Sequence, residues 1–147
     1  MIKNQFKTAI LLGLLTALLL GVGSFFGKSG ILIAAIFVLL MNFGTYWFSD
    51  KIVLAMYKAK LASPSEYSRL HSIVDEVTFL AKIPKPKVWI LPSTQSNAFA
   101  TGRNPNHASI ACTEGILNLM NDDELKGVIA HEIGHIKNRD ILISTVA

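Results

Sequence analysis

Two uncharged apolar runs stand back to back near the N-terminus of the chain, residues 8–27 and residues 29–49, and no other feature limits its fold so severely. At about 1.5 Å per helical residue, the 20 residues of the first run reach about 30 Å, the thickness of a bilayer's hydrocarbon core. The second follows Lys28 with barely a turn between and ends in Tyr46-Trp47-Phe48, aromatics of the kind that settle at a membrane interface. The expectation is a helical transmembrane hairpin. A cleaved signal peptide competes for the first run, because Lys3 and Lys7 resemble a charged n-region and residues 21–24 are small. The run exceeds the roughly 7 to 15 apolar residues of such a signal. A buried hairpin in a soluble core is the remaining alternative, and two adjacent runs of bilayer length are rare in soluble chains.

Charge divides the chain at the same place. All ten acidic residues lie at or after Asp50, whereas the first 49 residues carry only Lys3, Lys7 and Lys28. Lys3 and Lys7 precede the first run, Lys51, Lys58 and Lys60 follow the second, and Lys28 alone sits between, so the positive-inside rule places both outer flanks in the cytoplasm. Residues 50–147 hold eleven Lys or Arg against ten Asp or Glu, which leaves no basic patch for a nucleic acid. The single cysteine, Cys112, cannot form an internal disulfide and fits a reducing compartment.

Beyond the hairpin the pattern is α+β, with a helix, short antiparallel strands and a final motif-bearing helix expected. Ser63-Pro64-Ser65-Glu66 predicts a helix start, with Ser63 as N-cap, Pro64 at the first helical position and Glu66 closing a capping box. Tyr67, Leu70, Val74, Val77 and Ala81 then form one apolar stripe that ends before Pro84. His71 rides beside that stripe as a partly buried structural histidine. Residues 87–91 predict a short strand, and residues 97–101 and 108–113 a hairpin around the turn-rich Gly102-Arg103-Asn104-Pro105-Asn106. A short helix over 114–120 follows, and Asn121-Asp122-Asp123-Glu124 repeats the capping signature with acids in the first turn, where the helix dipole favours them.

That last helix carries His131-Glu132-Ile133-Gly134-His135. Residues four apart lie about 40° apart around a helix axis, so both imidazoles face one ion and supply half of a tetrahedral zinc site. Glu132 sits beside them, where its carboxylate reaches a zinc-bound water rather than the metal and serves as general base. The flanking Val128, Ile129, Ala130, Ile133, Gly134 and Ile136 are uncharged, as a buried catalytic helix needs, and Gly134 admits the close approach of another backbone or of a substrate. A surface helix with two incidental histidines is the bland alternative. Asn138 and Ile141 stand where a metzincin would have Gly and His. Asp140 lies about half a turn from His131 and reads as a surface or outlying carboxylate.

Together with Ser96-Asn97-Ala98-Phe99-Ala100-Thr101-Gly102, Asn104-Pro105, His107, Thr113-Glu114-Gly115 and the run from His131 to Asp140, the chain resembles the HtpX-type membrane metallopeptidases, gluzincins related to the Ste24 CAAX prenyl proteases. The resemblance covers nearly the whole chain. It implies a multi-pass, zinc-dependent endopeptidase of the bacterial cytoplasmic (inner) membrane, one Zn2+ per subunit, with His131 and His135 as ligands and Glu132 as catalytic residue. Its substrates would be misfolded or damaged membrane proteins, degraded under stress alongside other quality-control proteases. Asn97, Ala98 and Phe99 resemble the edge strand on which such enzymes lay an extended substrate, and an ordinary hairpin strand reads equally well there. His107 is a weaker site candidate.

In that family a glutamate from a later helix supplies the third zinc ligand, after further transmembrane segments. Residues 141–147 resemble the opening of a third span, so the sequence reads as an N-terminal part of such a protein, with the third ligand expected beyond Ala147. Two rivals share the motif: a membrane metal-binding scaffold that has lost catalysis, against which the intact Glu132 speaks, and a CAAX-type prenyl protease.

Overall fold

The computed structural model describes residues 2–139 and Ile141. Helices α1 (Ile2–Ser24) and α2 (Gly27–Met56) form the expected hairpin. The turn falls at Phe25 and Phe26, whose N–H groups return to the carbonyls of Val22 and Gly23, rather than at Lys28, which opens α2 instead. The first helix stops at Ser24 because Phe25 and Phe26 give their amides to carbonyls three residues back, a tighter turn than α. The second does not stop at Ser49 but runs on unbroken to Met56, through Asp50 and Lys51.

Gly23 and Gly30 allow the two helices to touch. A Cβ on Gly23 would stand 2.6 Å from the Cβ of Ala34 and 2.8 Å from the carbonyl oxygen of Gly30, so any larger residue forces the helices apart. Farther from the turn the Asn42 side-chain amide donates to the Thr16 hydroxyl at 3.0 Å, which itself donates to the Leu12 carbonyl. In an apolar setting such a cross-helix bond contributes about 0.6 to 2 kcal/mol. The stretch Gly27–Gly44 is long and apolar enough to cross a membrane, and only 6% of it is buried against the rest of the protein.

After α2 come β1 (Lys60–Leu61), α3 (Ser68–Ala81), β2 (Lys87–Leu91), β3 (Ala98–Asn104), β4 (His107–Thr113), α4 (Glu114–Leu119) and α5 (Asp122–Asn138). The sheet order is β1-β2-β4-β3. The β3–β4 hairpin is antiparallel as expected, but β2 and β4 run parallel, which corrects the expectation of antiparallel strands throughout. Local turn chemistry predicts hairpins. It cannot show that β4 would insert between its hairpin partner and β2, leaving β3 at an edge. The two-residue strand β1, antiparallel to β2, carries no sequence signal of its own.

Burial on both faces explains the near-continuous apolar run of β4, in which Ala108 to Thr113 are all buried. Val88, Ile90, Ala100, Ile110 and Cys112 point to one side, into a core shared with Leu70, Val74 and Val77 of α3 and Leu125, Ile129, Ile133 and Ile136 of α5. Leu91 and Ala111 point to the other, against Leu54 of α2, with Trp89 and Phe99 packed beside them. The end of the helical hairpin is thus a structural layer against the second face of the sheet. Tyr57 and Phe99 meet with ring centroids 5.5 Å apart on this face.

The expected start of α3 is corrected. Ser63 caps no helix: its hydroxyl pairs with that of Ser65, its carbonyl accepts from Glu66 and Tyr67, and α3 begins only at Ser68. Residues 63–67 spend their capping chemistry on a turn. The capping box at α5 is formed in full, Asn121 accepting from the Glu124 amide and Glu124 accepting from the Asn121 amide, both at 3.0 Å. Arg69 links the two helices by donating to Asp122 and to the carbonyls of Leu117 and Met120. Lys126 of α5 also pairs with Glu76 of α3. His71 is structural, its Nε2 at 3.1 Å from the Ala62 carbonyl.

Ile141 is helical and 1% exposed, whereas Asp140, residues 142–147 of the expected third span, and the side chain of Tyr46 lie outside the described residues.

At the hairpin tip Gly102 has φ +134, and a Cβ there would overlap the His107 carbonyl oxygen and stand 2.8 Å from the Cα of Ala108. The register shifts between Gly102 and Asn104, a bulge that turns the strand end. Gly102→Ala is therefore expected to destabilise the protein by at least about 2 kcal/mol, read as a lower midpoint of thermal unfolding in detergent by circular dichroism.

Candidate metal and catalytic centre

Packing fixes the rotation of α5. At 100° per residue Leu125, Ile129, Ile133 and Ile136 fall on one stripe, and all four are no more than 1% exposed. His131 and His135 lie on the opposite side, His131 exposed and His135 half-buried, while Glu132 sits on the flank of the stripe nearest the sheet. Four buried aliphatic side chains, each contributing about 1.5 to 3 kcal/mol, hold that rotation against any side-chain preference on the outer face.

The two imidazole rings meet edge-on with their Nε2 atoms 3.1 Å apart. Two nitrogens bound at about 2.0–2.1 Å to one tetrahedral zinc stand about 3.3 Å apart, so the pair fits a zinc ion with little adjustment. Among the described residues no group of three His, Cys, Asp or Glu side chains converges.

Glu132 is held from the other side. Its Oε2 accepts the backbone N–H of Ala100 at 2.9 Å, across from α5 to β3. Register explains why that N–H is available. The N–H and C=O of Asn97 are both engaged with Thr113, the carbonyl by the Thr113 amide and the amide by the Thr113 hydroxyl. In an antiparallel ladder the groups of Ala98 and Ala100 then alternate toward the open edge. Small side chains at 98 and 100 let the helix come this close.

Of the three candidate substrate residues, Ala98 is thus the one whose backbone faces outward. Phe99 turns its ring to Tyr57 and the α2 face, and Asn97 is tied to Thr113. The same Thr113 hydroxyl accepts from Ile116 and caps α4, which gives the Thr113-Glu114-Gly115 motif a structural role. Gly134 faces open space among the described residues: a Cβ there would meet nothing within 4 Å, so no other backbone of the described residues approaches it and the space beside it is left open. The helix is buried on one face, not all round, and Ala130 and Gly127 are exposed. His107 stands apart from the centre, at the hairpin tip with its Nδ1 3.0 Å from Asn104 Oδ1.

A model of peptidase family M48 matches residues 64–147, which span α3, the strands β2 to β4 and the whole motif helix. The chain belongs to peptidase family M48. Its relatives include a Protease HtpX homolog of a Sulfurihydrogenibium species, 53% identical over 98% of this chain and 49% of the relative, and one of Pyrococcus furiosus, 54% identical over 96% and 49%. Another, from Desulfatibacillum aliphaticivorans, is 54% identical over 98% of this chain and 47% of its own length. This M48 chain spans about half the length of the curated relatives it matches. The HtpX-type resemblance and the α+β class are borne out, and the similarity extends through the hairpin as well as the family match.

Ala100 and Cys112 were invisible as site residues in the sequence. The only trace was the pair of alanines alternating along β3. Cys112 lies beneath the centre, 0% exposed. Burial first, and the negative charge of Glu132 second, push its thiol from 9.0 up to about 12. The folded state holds that proton more tightly than the unfolded chain, so the contribution is complete below pH about 9 and is lost as the pH climbs toward 12, on the order of 4 kcal/mol in all. We expect Cys112 to resist an aromatic disulfide reagent at pH 8 until denaturant is added, and stability to fall as pH rises above about 9. Rapid labelling of the folded protein at pH 8 would contradict this placement.

Proposed function

We propose that this chain is the membrane-anchored, motif-bearing part of a zinc-dependent endopeptidase that hydrolyses peptide bonds in misfolded or damaged membrane proteins. One observation carries the reading: two imidazole nitrogens 3.1 Å apart on the open face of α5, beside a carboxylate bonded to the edge of β3. A structural metal site has no need of that carboxylate, and its tie to a sheet edge puts it where an extended chain would lie.

His131 and His135 would hold the zinc, one ion per subunit, and a glutamate outside the described residues would complete the ligands. Bound zinc supplies Lewis-acid polarisation of a peptide carbonyl and a water acidic enough to ionise near pH 7. A substrate segment pairs with the open edge of β3 at Ala98, within the candidate stretch Asn97, Ala98 and Phe99, which sets its backbone alongside α5. Glu132 takes a proton from the attacking water as the water oxygen bonds to the carbonyl carbon. As the carbon–nitrogen bond breaks, Glu132 returns that proton to the leaving nitrogen. The Ala100 amide keeps the carboxylate aimed at the strand edge throughout.

The hairpin would cross the bacterial inner membrane with both outer flanks in the cytoplasm, following the cation count at its ends, so that the centre faces the cytosol and meets membrane-protein substrates there. Other quality-control proteases of the same membrane are its natural partners in that role.

In the membrane-reconstituted protein with its third ligand present, casein cleavage is expected to vanish with chelator and return with zinc. Glu132→Gln is expected to lower the rate by at least about 1,000-fold while the zinc content stays at one per subunit, and His131→Ala to lose both zinc and activity. Substantial cleavage by the glutamine variant would sink the mechanism.

A further inference from the structure

A concavity whose lining includes none of His131, Glu132 and His135 lies where α2 meets the tip of the β3–β4 hairpin. It encloses about 480 Å³, and its lining includes Lys51, Lys85, Lys87, Arg103 and His107. That volume falls within the range of about 300–1,000 Å³ usual for small-molecule sites. Asp50 is the single acid in its lining, and Lys85 shares its charge with Asp75 at 2.7 Å. The cavity is therefore cationic in a second tier whose charges otherwise nearly balance.

Arg103 is fixed before any ligand arrives. The bulge at Gly102 turns the strand end, and the guanidinium lies 4.3 Å over the ring of Trp47. A stacked guanidinium keeps its fork of donors free for a planar or tetrahedral oxyanion. Lys51 is placed in the same manner, its Nζ 5.5 Å over the ring of Phe48.

Depth identifies the anion. The apolar window of α2 covers Gly27–Gly44 and its uncharged run ends at Ser49, so the hydrocarbon edge falls between Gly44 and Ser49. At 1.5 Å per residue that puts Lys51 about 3 to 10 Å beyond the edge and Trp47 within about 4.5 Å of it along the axis. The headgroup layer occupies roughly the first 5–7 Å outside the hydrocarbon, within reach of a flexible lysine side chain. Phe43, which also lines the cavity, falls inside the hydrocarbon. The site thus opens from acyl depth into headgroup depth, with apolar rings below and cations above.

We propose that this cavity binds the phosphate headgroup of an anionic phospholipid and so seats the catalytic tier on the membrane surface. The proposal rests on the reading of α1 and α2 as a membrane hairpin. Lipid phosphate accepts from Arg103 and Lys51, the glycerol lies against Trp47, and the first acyl carbons pass Phe43.

Native mass spectrometry of the chain in neutral detergent tests it, with phosphatidylglycerol, phosphatidylcholine and inorganic phosphate as probes. One phosphatidylglycerol per chain is expected at a concentration at least tenfold below that needed for phosphatidylcholine. Lys51→Gln with Arg103→Gln should weaken phosphatidylglycerol at least tenfold, while Lys82→Gln with Lys137→Gln, equal in charge loss, leaves it unchanged. Equal binding of the two lipids, or an undiminished preference in the Lys51/Arg103 variant, overturns the proposal. Displacement of the lipid by equimolar inorganic phosphate overturns it in favour of a soluble phosphate. If the double variant does not fold, judged by its helical circular dichroism, the comparison of lipids on the unmodified chain decides. Alkaline carbonate extraction of membranes separates the two levels of failure. A chain that washes out refutes the hairpin, and one that stays but shows no lipid preference refutes only the headgroup site.

Discussion

The rotation of α5 about its own axis is the constraint on which the centre depends. Leu125, Ile129, Ile133 and Ile136 are sealed between α3 and the sheet, and once they are, the positions of His131, Glu132 and His135 follow from helix geometry alone. A helix turned by one residue would bury a histidine or swing Glu132 away from β3. The capping box at Asn121 and Glu124 and the three bonds from Arg69 set where this helix begins, and the stripe sets how it faces.

The sheet relays that constraint in two directions. Its α5 side carries the alanines of β3 that let the Ala100 amide reach Glu132. Its other side is covered by the last turns of α2, through Leu54 and Tyr57. A long helix that begins in the hairpin therefore ends as part of the catalytic tier's own core. Membrane anchoring and active-site placement share one rigid element, and the Arg103–Trp47 stack lies at the joint between them. This arrangement explains why the edge of β3, rather than any loop, is the surface presented beside the histidines.

Local signals were legible where the responsible physics is local. The hairpin followed from run length, α5 from its caps and period, and the β3–β4 hairpin from its turn residues. Ser63 to Glu66 shows the limit of such signals, since the same residues satisfy a turn as readily as a helix start, and the chain uses them for a turn. The parallel pairing of β2 with β4 was not legible, because it joins segments about 20 residues apart, with a whole strand between them and no single turn to dictate their register.

The sequence by itself determined which side chains make up the candidate centre: His131 and His135 converge because residues four apart share a helix face, and Glu132 stands beside them by the same geometry. It also determined that two apolar helices precede them. Only the tertiary structure decided what those side chains meet. That β3 is an edge strand, that Ala100 rather than a side chain grips Glu132, that Phe99 serves α2, and that Cys112 lies beneath the carboxylate all depend on strand order and on which face each residue turns inward. Those are long-range outcomes of burying a sheet on both faces, and no window of the sequence contains them.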